Sequence, residues 1–97
     1  IDLSDAANQP FFSTDRRFVV VFNGEIYNYK QLRIRLENED GIRFRTSSDT
    51  EVIVEGFARR GSAFISLLEG MFAIAIYDTL QEQLFLVRDR LGKKPLY

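Results

Sequence analysis

The chain has 97 residues, 45% of them hydrophobic and nine of them phenylalanine, with a formal net charge of −1; this is enough apolar material for one core, so one domain or part of one is the ceiling. The near-neutral charge gives no general pull towards nucleic acid or anionic lipid, no apolar run approaches the roughly 20 residues that cross a bilayer, and no signal-peptide pattern begins the chain, so a soluble, cytoplasmic protein is expected. Cysteine and histidine are both absent, which excludes disulfides, cysteine or histidine metal sites and histidine-based triads within these residues.

In chain order, residues 1–15 are irregular, because Ser, Asp, Asn, Gln and Pro10 break any period; Phe11-Phe12 is expected to anchor this loop to a core. Residues 18–22, Phe-Val-Val-Val-Phe, are apolar at every position, which predicts a strand covered on both faces. The polar triplet Asn23-Gly24-Glu25 then predicts a tight turn. Asn-Gly is the strongest short signal for a two-residue hairpin, but Ile26, Tyr29, Leu32 and Leu36 recur at helical spacing, so a helix follows instead of a second strand. Asn28 with Gln31 resembles a capping box, placing the helix start near Tyr29, and the helix fades at Glu39-Asp40-Gly41.

Residues 42–45 are short enough for an edge strand. Thr46-Ser47-Ser48-Asp49-Thr50-Glu51 is a second run of cap formers, in which Ser48 and Glu51 again have capping-box spacing. Val52, Ile53, Gly56 and Phe57 make the inner face of the next helix, and Gly61 is placed to end it. A short helix is expected over residues 64–68, stopped at Gly70. Residues 71–76 and 84–87 read as two buried strands joined by a polar connection at 79–83, an antiparallel hairpin. No repeat or linker interrupts this order. A start at Ile1 and a stop inside Pro95-Leu96-Tyr97 lead to the expectation of a piece of a longer protein.

Glu25 and Asp49 are the first chemical candidates, because each stands between an apolar element and a helix start. Each also has an ordinary reading: Asp49 favours a helix N-terminus through the dipole, and Glu25 is a solvated turn residue. Asn23 and Gly24 add a second feature. Glycine permits positive φ and close backbone approach, and a side-chain amide beside a backbone N–H suits one developing oxyanion. The basic cluster Arg88-Asp89-Arg90-Leu91-Gly92-Lys93-Lys94 lacks the glycine spacing of a P-loop and reads as a solvated, salt-bridged strand end.

Four blocks, in order, carry a resemblance: Phe22-Asn23-Gly24-Glu25-Ile26-Tyr27-Asn28, Thr46-Ser47-Ser48-Asp49-Thr50-Glu51-Val52, Leu68-Glu69-Gly70-Met71-Phe72-Ala73, and Arg88-Asp89-Arg90-Leu91-Gly92-Lys93-Lys94-Pro95-Leu96-Tyr97. Together they resemble the glutaminase domain of glutamine-hydrolysing asparagine synthetases, a class II glutamine amidotransferase domain. The resemblance implies an α+β fold, part of an αββα four-layer N-terminal nucleophile hydrolase with antiparallel sheets, and it makes residues 1–97 a partial amidotransferase domain. It also implies hydrolysis of L-glutamine to glutamate and ammonia, with the ammonia used by a separate domain to amidate aspartate through an acyl-adenylate. By position, Asn23 and Gly24 match the family's oxyanion donors, Glu25 and Asp49 match residues that hold the glutamine α-ammonium, and Ile1 ends a segment lining the glutamine pocket.

The family's nucleophile is an N-terminal Cys whose own α-amino group is the base. No cysteine is present here, so the resemblance implies an internal fragment that is inactive alone, with the Cys and an Arg that clamps the substrate carboxylate lying upstream. No cofactor is expected in these residues; ATP and magnesium belong to the synthetase domain, whose Ser-Gly-Gly-x-Asp-Ser motif would lie beyond Tyr97. Expected partners are L-glutamine and the remainder of the same protein. Uncovered sheet edges and apolar faces also raise self-association into a homo-oligomer. Two alternatives stand beside this reading: an amidotransferase with another acceptor carboxylate, and a non-catalytic glutamine-binding or interaction module.

Overall fold

The computed structural model describes residues 10–89. Ile1 and the Lys93-Lys94 end of the basic cluster lie outside the described residues. Four strands, β1 (Phe11–Phe12), β2 (Phe18–Ile26), β3 (Gly70–Asp78) and β4 (Gln83–Arg88), form one sheet in the order β1-β2-β3-β4, each antiparallel to the next. Between β2 and β3 the chain runs through three helices, α1 (Tyr29–Asp40), α2 (Asp49–Arg60) and the single turn α3 (Ser62–Ile65). The architecture is an antiparallel sheet with helices, α+β as expected.

Burial follows the two-residue period of the sheet. Phe18, Val20 and Phe22 of β2 and Phe72, Ile74 and Ile76 of β3 are buried, and they share one core with Leu32 and Leu36 of α1, with Val52, Ile53 and Phe57 of α2, and with Phe64 of α3. The Phe57 ring stands edge-on to Phe18 with centroids 5.2 Å apart. The helix α2 is buried from Thr50 to Gly56 on every side, as befits a helix enclosed by sheet, helices and loop rather than lying on a surface.

Several local expectations hold. The first helix starts at Tyr29 and ends at Gly41, whose left-handed backbone closes it with an N–H to Leu36 O. The second has Ser48 at its N-cap, accepting from Glu51 N, and Gly61 beyond its last residue. The hairpin of β3 and β4 forms in antiparallel register.

Others are corrected. The strand does not end at Phe22: Asn23, Gly24 and Glu25 continue β2 and pair with Ala73, Phe72 and Met71, because the long β3 offers partners for the triplet and Gly24 takes φ +124°. The strands are not covered on both faces among the described residues. Val21 is 52% exposed and Leu86 74% exposed, since all three helices lie on the other side. Residues 42–45 form no strand; Ile42 N–H bonds to Leu36 O and Arg45 N–H to the Glu51 carboxylate, so their backbone is satisfied without a ladder. Asn28 makes no side-chain cap. The short third helix lies at Ser62–Ile65 rather than over residues 64–68.

Candidate functional site

The sheet has an open face, and Asn23 lies on it. Alternation puts Asn23 opposite in sense to the buried Phe22, and the register lines it up with Ala73 and, one strand further, Arg88. Beneath this row a groove of about 450 Å³ runs over Val21, Asn23, Ala73, Ala75, Leu86 and Arg88. It is apolar along most of its length, with Asn23 and Arg88 at one end.

The register also fixes where the Gly24 N–H points. Its partner Phe72 turns its carbonyl to Asp89 N–H at 3.1 Å, on the β4 side. A strand residue's N–H and C=O leave the same side of the strand, so Gly24 and Phe72 make a non-hydrogen-bonded pair and the Gly24 N–H is directed away from β3. Six residues earlier, at the same parity, Phe18 O accepts from Ser13 N at 2.8 Å on the β1 side. Among the described residues β1 pairs with Val19 and Val20 and does not reach Gly24. No strand among the described residues lies beside Gly24 on that side, so its N–H is directed to the β1 side of β2, beside the exposed Asn23.

Only glycine fits at this point. With φ at +124°, a Cβ on residue 24 would enter the shell of Met71 O and come within 2.8 Å of Phe72 Cα. The end of β2 is held by Asn28: its Nδ2 donates to Leu67 O at 2.8 Å, its Oδ1 accepts from Glu69 N at 3.0 Å, and the neighbouring Tyr27 N–H donates to Glu69 O at 2.6 Å. The side chain expected to cap a helix instead ties the segment before β3 to the exit of β2.

Asp49 comes from a different layer. It is the half-buried first residue of α2, which packs on the sheet face opposite Asn23. The structure thus brings Asn23, Gly24 and Glu25 together through one strand and supplies Asp49 from the helical layer. Glu25 is exposed. Both acids of the first turn of α2, Asp49 and Glu51, complement the positive end of the helix dipole.

A second acid stands out that sequence reading treats only as a cap. Glu51 is fully buried, and its carboxylate accepts from Thr46 N and Thr46 Oγ1 on one oxygen, both at 2.7 Å, and from Arg45 N at 2.8 Å and Arg45 Nε at 3.3 Å on the other. Glu55, one turn on, accepts from Thr14 N, Thr14 Oγ1 and Arg45. The Ser48-x-x-Glu51 spacing is visible in the sequence, but it aims Glu51 at the Ser48 N–H and not at residues 45 and 46. Among the described residues, no three His, Cys, Asp or Glu side chains gather as a metal site, and no helix is long and apolar enough to cross a membrane.

Comparison with known proteins adds the family. The family model described as "Glutamine amidotransferase domain" matches residues 1–97. The chain is 49% identical over 89 residues to asparagine synthetase [glutamine-hydrolyzing] 2 of Bacillus subtilis, covering 92% of this chain and 12% of that protein. Among solved structures it is similar to the allosteric regulatory enzyme of purine biosynthesis, with TM-score 0.72 and 29% identity over 87% of this chain and 20% of that one. A glutamine phosphoribosylpyrophosphate amidotransferase from B. subtilis aligns with TM-score 0.67 and 31% identity, over 84% of this chain and 20% of that one. The chain spans about an eighth of the length of the curated relative. The structural neighbours are N-terminal nucleophile hydrolase amidotransferases, the fold class expected from the four motif blocks.

Proposed function

We propose, because this chain belongs to the glutamine amidotransferase domain family, that Asn23 and Gly24 form the oxyanion site of a glutaminase and that Asp49 and Glu25 receive the α-ammonium of its glutamine. A thiolate attacking the γ-amide carbon of glutamine drives the carbonyl π electrons onto oxygen. The Asn23 Nδ2–H and Gly24 N–H donate to that oxyanion, and fixed donors of this kind act mainly in the transition state. Collapse of the adduct, with the proton the nucleophile's α-amino group took from the thiol passed to the leaving nitrogen, expels ammonia and leaves a thioester, which water cleaves to glutamate and the free thiol. The thiolate belongs to a cysteine outside these 97 residues, which contain none. The α-ammonium is a fixed cation, and carboxylates at the end of β2 and at the start of α2 are the charge-assisted acceptors it requires.

The observation that carries this reading is the direction of the Gly24 N–H, away from β3 and beside Asn23. The acceptor is read from the higher identity to an asparagine synthetase: we assign the ammonia to ATP-dependent amidation of aspartate, in a magnesium-dependent domain outside this chain and in the cytoplasm. Amidation of another acceptor carboxylate is the second reading, because none of the motif blocks in these residues selects the acceptor. Ile1 remains a proposed pocket residue on motif position alone. In the full-length protein, Asn23→Ala is expected to lower kcat for glutamine hydrolysis by about 10²- to 10³-fold with little change in KM. Equal loss in kcat and in affinity for glutamine would remove Asn23 from the oxyanion site.

A further inference from the structure

We infer that Glu51 is a positioning residue for Asp49, and through it a determinant of the preference for substrates that carry an α-ammonium group. The inference rests on the assignment of Asp49 above. Capping α2 needs only Ser48, whose Oγ already accepts from Glu51 N at 3.3 Å. The Glu51 carboxylate does something else: it gathers the backbone N–H groups of residues 45 and 46 and the Thr46 hydroxyl onto the first turn of α2. Thr46 Oγ1 then meets Ser48 Oγ at 3.0 Å and accepts from Ser48 N at 3.2 Å. The loop leading into Asp49 is thereby tied at Arg45 and Thr46 to the Glu51 carboxylate, and at Ser48 through Thr46, while Glu55, Phe12 O and Arg33 hold the outer parts of Arg45 and Thr46.

Location makes the arrangement specific. Arg45, Thr46 and Ser47 are exposed while the Glu51 side chain is wholly buried. A carboxylate withdrawn from water is costly unless every lone pair finds a donor, and here donors on both oxygens come from the loop. Moving the loop away would leave the carboxylate bare, so loop and helix start move as one unit. Asp49 lies between the loop and Glu51 in the chain and is carried by both. An amide at position 51 keeps the volume but turns two N–H donors towards either Arg45 or Thr46, which are themselves donors.

The experiment compares the full-length protein with Glu51→Gln, Asp49→Asn and the double variant. Each is assayed for KM and kcat with L-glutamine and for the inhibition constant of 4-carbamoylbutanoate, which is glutamine without its α-amino group. The selectivity is the ratio of that inhibition constant to KM. Asp49→Asn and Glu51→Gln are each expected to lower the ratio by about tenfold through KM, with kcat changed less than about threefold, and the double variant is expected to fall no further. A Glu51→Gln protein that loses affinity for both compounds equally, or kcat alone, or nothing, overturns the inference and leaves Glu51 a structural anchor. Thr46→Val removes one donor from an exposed side chain and is expected to give a smaller loss of the same ratio; an unchanged ratio counts against the inference even where Glu51→Gln does not fold. Failure of the underlying assignment is read separately, as an Asp49→Asn variant with unaltered selectivity.

Discussion

Replacing Gly24 by alanine, with Gly41→Ala as its partner, separates two costs that glycine avoids. Both residues have positive φ, +124° and +68°. An added Cβ at Gly41 meets nothing within 4 Å, whereas at Gly24 it enters the Met71 carbonyl and lies 2.8 Å from Phe72 Cα and 3.0 Å from Met71 C. Positive φ costs an alanine about 1–2 kcal/mol at either position. Only at Gly24 does overpacking add about 1–3 kcal/mol, because the atoms it meets are backbone and cannot rotate aside. Gly41→Ala is therefore expected to cost about 1–2 kcal/mol and Gly24→Ala about 2–5 kcal/mol, a large share of the roughly 5–15 kcal/mol that stabilises a domain. Urea unfolding of the two variants, with m compared to the parent, reads the difference directly. Equal destabilisation by the two would refute the close approach of β2 and β3 at Gly24, and with it the argument that aims the Gly24 N–H away from β3.

Two further expectations follow from charge and composition. Asp78, at the end of β3, has its carboxyl held down to about 2 from 3.8, chiefly by the bidentate hydrogen bonds of Arg17, with N–H groups of Gln81 and Leu80 adding to the effect. A depressed carboxyl stabilises the fold above its unfolded value and loses that contribution as pH falls towards 2; melting temperature should drop between about pH 4 and 2 more steeply in the parent than in Asp78→Asn, and identical profiles would show that the pair is not the acid-labile element. A polypeptide of residues 1–97 alone is expected to release no ammonia from glutamine, since it holds no thiol to form the thioester; turnover in a preparation whose mass matches these residues would refute the proposed division of labour.

What the residues determined on their own is local. The start of α1 at Tyr29, its close at Gly41, the Ser48 cap and the Gly61 end of α2 all depend on partners within four or five residues, so spacing and residue type suffice. The β3–β4 hairpin is likewise legible, because its strands are neighbours in the chain. For the candidate site, the adjacency of Asn23, Gly24 and Glu25 and the position of Asp49 before a helix are plain from the sequence.

Tertiary structure decided everything that depends on a distant segment. Nothing near Asn23 announces that residues 71–73 will pair with it, so a polar triplet that reads as a turn becomes strand. The direction of the Gly24 N–H follows from that pairing. Asn28 and Glu51 carry capping-box spacing, yet Asn28 bonds across to residues 67 and 69 and Glu51 back to residues 45 and 46. A polar side chain has several partners within its reach, and only the packing of α2 against the sheet and its loops determines which of them it meets. One-sided burial has the same origin: alternating strands carry apolar residues on both faces, and among the described residues the helices cover one of them.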